Sequence, residues 1–178
     1  MKDKLIISTA AMAAAVFLCS AGAQARVLVP EAGSLPEYSK AYDKTVYDGD
    51  ITVEQYGRRL TVSKGGEVLW ELPKTVYSQD FFIYDIDRNG NDDLAVLCWK
   101  RGRFGKSRPF WIKEDEKTWS QHIFIYEIRG DALRPRWMAS DIGISAASFD
   151  HTDGVIHITD TDGNVTDWIW GSWGLEKI

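Results

Sequence analysis

From residue 51 onward, hydrophobic positions occur in short runs of strand length, separated by turns rich in glycine, aspartate and asparagine. The runs at 81–84, 94–99 and 123–128 are apolar at successive positions, as expected for strands that are buried on both faces. No segment shows the period of a long amphipathic helix. The pattern therefore predicts an all-β fold built from stacked antiparallel sheets.

Two predicted hairpins have a similar pattern and indicate an internal repeat. They span 59–70 and 123–137 and end on Trp70 and Trp137, which are followed after 15 and 13 residues by an aspartate. A period of about 65 residues predicts two propeller-blade-like units, with a further hairpin at 155–170. Since propellers close with about four to eight blades, we expect blade-like sheets packed as a compact sandwich or a partial propeller.

The connection after the run at 81–84 carries oxygen-bearing side chains at alternating positions. Carboxylates at positions 1, 3 and 9, an amide at position 5, a main-chain carbonyl at position 7 and a glycine at position 6 suit a calcium loop. The candidate ligands are Asp85, Asp87, Asn89, Asn91 through its carbonyl, and Asp93. An EF-hand would need Glu where this chain has Val96, and a following helix. A metal-free turn uses the same residue types, so both interpretations stay open.

The string from Ile83 to Val96, Ile-Tyr-Asp-Ile-Asp-Arg-Asn-Gly-Asn-Asp-Asp-Leu-Ala-Val, resembles the calcium loop of FG-GAP or VCBS repeats. These repeats are the blades of integrin-α-like β-propellers. The resemblance covers about fourteen residues and implies a bound calcium ion on the five candidate ligands, with a hydrophobic strand from Leu94 onward. Arg88 departs from the small or acidic residues common in such loops, but it removes no ligand.

The first 25 residues predict export. A basic start, an apolar run at 5–18 and an Ala-Gln-Ala motif at 23–25 are typical of a secretory signal peptide cleaved after Ala25. A lipoprotein signal at Cys19 is disfavoured, because Leu rather than a small residue precedes it. The mature chain has no apolar stretch long enough for a transmembrane helix. We therefore expect a periplasmic or extracellular protein.

The mature chain has the size of one domain. Its 19 basic and 25 acidic residues give a net charge of −6, which argues against nucleic-acid binding. Residues 26–50 predict an extended leader, and residues 51–178 an all-β repeat domain with eight tryptophans available for its core. Cys98 is the only cysteine left after cleavage, and its strand position predicts a buried side chain.

A basic and aromatic segment interrupts the repeat. Five of the nine residues at 100–108 are Lys or Arg in an otherwise acidic chain. Aromatic faces with cations suit sugar rings or anionic polymers; alternatively, the aromatic residues pin the loop to the core and the charges are solvated or paired. The candidate ligand-binding residues are Arg101, Arg103, Phe104, Lys106, Arg108 and Trp111.

Catalytic motifs are weak throughout the sequence. Acidic residues between Asp160 and Asp167 have the wrong spacing for a second calcium loop and predict a turn. We expect an exported, calcium-stabilised, non-enzymatic binding module for an envelope glycan, an anionic polymer or a protein partner at or outside the cell envelope. A small secreted glycan-acting hydrolase and a structural accessory subunit remain alternatives.

Overall fold

The computed structural model describes residues 34–102, 104, 109–139 and 142–178. The predicted signal peptide at 1–25 lies outside these residues. Within them, a 3-10 turn at Glu37–Ser39 precedes the strands, and no helix is long and apolar enough to cross a membrane. The strands are β1 (Lys44–Asp48), β2 (Ile51–Tyr56), β3 (Arg59–Lys64), β4 (Glu67–Glu71), β5 (Val76–Tyr84), β6 (Asp93–Arg101), β7 (Trp119–Arg129), β8 (Ala132–Met138), β9 (Ala146–Thr152), β10 (Val155–Asp160), β11 (Val165–Trp170) and β12 (Leu175–Lys177).

The strands form three antiparallel sheets, each a meander of four consecutive strands. Sheet 1 contains β1–β4, sheet 2 contains β5–β8 and sheet 3 contains β9–β12. The first strands contact one another in the order β1, β5, β9, and the fourth strands β4 and β8 also meet. The sheets therefore stack like successive propeller blades, and the predicted all-β, blade-like fold is confirmed.

Sheet 2 lies in the middle and is covered on both faces. In β6, Leu94, Val96 and Cys98 pack into a core shared with sheet 1, whereas Ala95 and Leu97 pack into a second core shared with sheet 3. Cys98 is 0% exposed, which confirms its predicted burial. Full burial of one large apolar side chain is worth about 1.5–3 kcal/mol. Burial in the two cores therefore holds sheet 1 and sheet 3 against the two faces of sheet 2.

The two predicted hairpins share a structural feature in sheets 1 and 2. Trp70 and Trp137 both lie in the fourth strand of a sheet, opposite Val62 and Ile125. In each sheet the register shifts at this point, because a β-bulge precedes the tryptophan. Both indole rings are half-buried against a core, so they occupy equivalent positions without being fully enclosed.

The structure has three sheets, whereas the sequence period of about 65 residues predicted two units and a further hairpin. The hairpin at 155–170 is completed by β9 and β12, which makes a third sheet. Likewise, β1 lies within the predicted leader at 26–50, so the sheets begin at Lys44 and not at residue 51. Short edge strands carry few apolar residues, which explains why the hydrophobic pattern did not indicate them.

The Lys44 amine holds β1 against sheet 2 by donating a hydrogen bond to Asp80 Oδ1 at 2.9 Å.

Candidate metal centre

The acidic loop is the connection from the first to the second strand of sheet 2, between Tyr84 and Asp93. Its turn depends on Gly90, which has a φ of 87°, a backbone conformation that glycine adopts without steric cost. The main-chain N–H groups of Asn89 and Gly90 donate to the two carboxylate oxygens of Asp85, at 2.9 and 2.8 Å. The loop is therefore closed around the Asp85 side chain.

Three of the predicted ligands converge in space. Asp85, Asp87 and Asp93 each offer one carboxylate oxygen, and these oxygens all lie within 4.8 Å of one another. No other group of three metal-binding Asp, Glu, His or Cys side chains forms among the described residues. Because every member is a carboxylate, the cluster suits a hard, oxygen-preferring cation and not a soft metal.

Asp93 is the most unusual member of this cluster. Its side chain is 0% exposed, and its Oδ2 accepts a hydrogen bond from the Ile86 N–H at 3.1 Å. Its Oδ1 is buried and has no hydrogen-bond partner. Burial, together with the neighbouring carboxylates, raises the pKa of Asp93 to about 7. An unpaired buried oxygen of this kind costs free energy, which a coordinated cation would offset.

The two predicted asparagine ligands form the turn beside the carboxylates. Asn89 Oδ1 accepts hydrogen bonds from the main-chain and side-chain N–H groups of Asn91, both at 2.8 Å. The side-chain amide of Asn89 donates to Glu127 Oε1 at 3.0 Å. The orientation of the Asn89 amide is thus fixed by hydrogen bonds, with its oxygen turned towards Asn91.

Glu127 and Arg136 are neighbours of the cluster that the loop sequence does not reveal. Glu127 lies opposite Asp93 in the β6–β7 register and is 7% exposed. A carboxylate within the apolar run at 123–128 was a signal that could have identified it. Arg136 Nη2 donates to Asp87 Oδ2 at 2.5 Å, and this hydrogen bond raises the pKa of Arg136. Nothing in the sequence pointed to Arg136.

The corresponding connections of the outer sheets touch the acidic loop. Burial and a hydrogen bond with the Asp48 carboxyl, at the end of β1, raise the pKa of Asp92. On the other side, Arg88 Nη2 donates to the Asp153 carbonyl at 3.5 Å, in the turn between β9 and β10. A cation in this loop would therefore sit where all three sheets meet.

The second acidic turn has a different geometry. Asp160 Oδ1 accepts hydrogen bonds from the N–H groups of Asp162 and Asn164, at 2.9 and 2.8 Å. Asp167 Oδ1 instead contacts His157 Nδ1 at 2.7 Å. Each of these two carboxylates therefore has its own hydrogen-bond partners, as expected if the segment forms a turn and not a calcium loop.

The basic and aromatic segment leaves the opposite end of β6. This strand is nine residues long, from Asp93 to Arg101, which places its ends roughly 25–30 Å apart. The Arg101 guanidinium lies over the Trp119 ring, 5.1 Å from its centroid, and the Phe104 N–H donates to Asp115 Oδ2 at 3.2 Å. Trp111 is 67% exposed, so it does not pin the loop to the core. Arg103, Lys106 and Arg108 lie outside the described residues.

Comparison with known proteins does not place this site in a family. No family model matches the chain, and no match is found among the curated proteins or the solved structures. The local resemblance to FG-GAP or VCBS loops therefore stays a prediction.

Proposed function

We propose that this protein is an exported binding module whose fold is stabilised by one calcium ion in the acidic loop. The observation that carries the proposal is the Asp93 side chain: its Oδ1 is a buried carboxylate oxygen without a hydrogen-bond partner, and one of its oxygens lies within 4.8 Å of an oxygen of Asp85 and of Asp87. A turn that satisfies its own carboxylate, as the turn at Asp160 does, would leave no such oxygen. The proposed ligands are Asp85, Asp87, Asn89, the Asn91 carbonyl and Asp93.

Calcium is favoured over other cations by the type of ligand. The cluster offers oxygen atoms only, and calcium takes six to eight oxygen ligands at about 2.3–2.6 Å in a variable geometry. Magnesium demands a stricter octahedron at shorter distances and holds its water molecules more firmly. The proposed role of the ion is structural, because it would neutralise carboxylates at the junction of three sheets.

Calorimetric titration of the chelator-treated protein tests the site. We expect one calcium ion per chain with a Kd of about 0.1–1 mM, the range of extracellular modules. Asp87→Ala and Asp93→Asn should abolish the binding heat. Asp160→Asn is the matched control, since it removes a carboxylate from the other acidic turn, and it should bind as the wild type does. Absence of binding by the wild type at about 10 mM calcium would exclude the proposal.

The recognition role is proposed for the other end of β6. Segment 100–108 has five basic residues in a chain of net charge −5, which favours an anionic component of the cell envelope as partner. Arg101→Gln, Arg103→Gln and Arg108→Gln together should reduce retention on immobilised anionic envelope polymer at low salt. Arg129→Gln with Arg134→Gln, at the far end of sheet 2, serves as control. Equal retention of both variants would argue against this role.

Export itself is proposed from residues 1–25. The protein recovered from the periplasm or the medium should begin at Arg26, which N-terminal sequencing would establish. Recovery only from the cytoplasm, with residue 1 retained, would contradict export without affecting the calcium site.

A further inference from the structure

A cavity of about 380 Å³ lies at the end of sheet 2 from which the basic and aromatic segment leaves. The last turns of β6 and the first of β7 meet there and contribute Trp99 and Trp119 to its walls. The other walls include Tyr38, in the 3-10 turn before β1, and Ile144 and Ser145, which precede β9. This volume is near the lower end of the range for small-molecule sites, about 300–1,000 Å³, so it suits one ring-sized ligand.

Hydrogen bonds fix one wall of this cavity. Trp99 Nε1 donates to Gln79 Oε1 at 2.7 Å. Gln121 Nε2 donates to the same oxygen at 2.9 Å and to the Ala146 carbonyl of β9 at 2.7 Å. Both glutamines are buried and link sheet 2 to sheet 3 through these bonds. A wall that is already ordered adds little conformational cost to the binding of a ligand.

Two hydrogen-bond donors at this end of the sheet have no acceptor. Trp119 Nε1 and Arg101 Nη2 are buried, and neither has a hydrogen-bond partner. The Arg101 guanidinium lies over the Trp119 ring, 5.1 Å from its centroid, so the two donors belong to side chains that pack together. A buried donor without an acceptor costs free energy, and the cost is larger for a charged group. The oxygen of a ligand bound against Trp119 would supply the missing acceptor.

The two donors favour a carboxylate as the acceptor group of the ligand. A guanidinium makes strong, charge-assisted hydrogen bonds to carboxylates, and the two oxygens of a carboxylate can accept from two different side chains.

The remaining walls suit a sugar ring that bears this carboxylate. Hydroxyl groups are offered by Tyr38, which is half-buried, and by Ser145, which is exposed; they can exchange hydrogen bonds with the hydroxyl groups of a sugar. The ring of Tyr38 and the side chain of Ile144 add apolar surface for the C–H face of the sugar. Tyr38 is held in place by Trp99, with ring centroids 5.8 Å apart.

We propose that this cavity binds one carboxylate-bearing sugar unit of an anionic envelope polymer, whose carboxylate accepts hydrogen bonds from Trp119 Nε1 and Arg101 Nη2. The inference rests on the recognition role proposed above and specifies its partner as an acidic polysaccharide. It requires no cation in the acidic loop.

Calorimetric titration of the mature protein with a short oligouronate tests this site. We expect saturable binding of one oligosaccharide per chain, and at least about tenfold weaker binding of a neutral malto-oligosaccharide of the same length, because a hydrogen bond to a charged group is worth that much. Trp119→Phe keeps an aromatic ring against Tyr77 but removes the indole N–H, and it should weaken oligouronate binding about tenfold. Its melting temperature should stay unchanged, since this N–H has no partner in the protein.

Two further variants complete the test. Ser145→Ala changes an exposed side chain on the other wall of the cavity and should also weaken the binding of the oligouronate. Trp173→Phe is the matched control, because it removes the indole N–H of a tryptophan that is 92% exposed in the β11–β12 turn. It should bind the oligouronate as the wild type does.

The other outcomes distinguish the inference from the proposed function. Wild-type affinity in both Trp119→Phe and Ser145→Ala would overturn the cavity as the site, and equal affinity for the neutral oligosaccharide would overturn the carboxylate. A wild type that is retained on anionic envelope polymer but does not bind the oligouronate would overturn the inference and leave the recognition role standing. A wild type that binds neither would overturn both, whereas the calcium titration would still decide the metal site.

Discussion

Two turns rich in aspartate, asparagine and glycine have opposite electrostatic properties in this protein. In the turn at 160–164, main-chain N–H groups donate to the Asp160 carboxylate, and the hydrogen bonds with Asn164 lower the pKa of Asp160. In the loop at 85–93, burial raises the pKa of Asp93 to about 7. Composition therefore does not identify a cation site; the decisive property is whether the turn itself satisfies its carboxylates.

The position of each turn in the fold explains the difference. Asp93 is the first residue of β6, a strand covered on both faces, so its carboxylate is drawn beneath the surface. Asp160 ends β10 in an outer sheet, and the residues after it are exposed. A polar turn on an outer sheet can saturate its own oxygens, whereas a turn entering the middle sheet leaves one oxygen without a donor.

The largest expected effect is the pH dependence of the metal-free protein. The folded protein holds the Asp93 proton up to about pH 7, whereas the unfolded chain loses it near pH 4. Stability contributed by this group is therefore full below pH 4 and falls as the pH rises to 7. At about 1.4 kcal/mol per pH unit, the loss is at most about 4 kcal/mol.

Asp93→Asn should remove that loss. In chelator at pH 8, urea unfolding should show the variant to be more stable than the wild type, and the difference should shrink as the pH is lowered to 4. A variant that is less stable than the wild type at pH 8 would mean that the metal-free protein accommodates the charged carboxylate, and the contrast between the two turns would then disappear.

A smaller effect is expected from calcium at neutral pH. At about ten times its Kd, a bound ion stabilises the fold by about 1.4 kcal/mol through mass action. Asp87→Ala should unfold identically in calcium and in chelator, because it removes one of the converging carboxylates. Asp160→Ala should retain the full calcium increment in its melting temperature. A wild type that melts identically in both conditions would eliminate calcium as a stabilising ligand.

Local residue patterns were sufficient to predict features that neighbouring residues in the sequence form together. The apolar run at 94–99 predicted a strand buried on both faces, and the spacing of Asp85, Asp87 and Asp93 predicted their convergence. The equivalence of Trp70 and Trp137 followed from the recurring hairpin, since the same bulge precedes each ring.

Features formed by distant segments could not be predicted in this way. Asp48 lies 37 residues before Asp85, and Glu127 lies 34 residues after Asp93. The stacking of sheet 1 on sheet 2 brings Asp48 close to the loop, and the pairing of β7 with β6 brings Glu127 close. The edge strand β12 has three residues, too few for a periodic pattern. Arg136 reaches Asp87 from the bulged segment of β8, and its direction depends on that irregular register.

A finer test concerns the support of the ligands by Glu127. Glu127→Ala removes the acceptor that holds the Asn89 amide and should weaken calcium binding about tenfold, the lower end of the effect of losing a group that orients a ligand. Glu127→Gln keeps an acceptor oxygen and should bind more tightly than Glu127→Ala in the calorimetric titration. Equal loss in both variants would indicate that the charge of Glu127, and not its hydrogen bond, supports the site.

The smallest effect is expected at the outer turn. Asp160→Asn keeps an oxygen for the N–H groups of Asp162 and Asn164 but removes the charge. Because the folded protein lowers the pKa of Asp160, the ionised carboxylate stabilises the fold at neutral pH, and this contribution disappears as the pH falls below the folded pKa. The variant should therefore be slightly less stable than the wild type at pH 7, and the difference should shrink as the pH is lowered, in calcium and in chelator alike. Urea unfolding in these conditions would measure this. If Asp160→Asn lost the stabilisation by calcium, as Asp87→Ala is expected to do, the outer turn would be a second cation site. Hydrogen bonding of the Asp160 carboxylate within its own turn would then no longer distinguish the two turns.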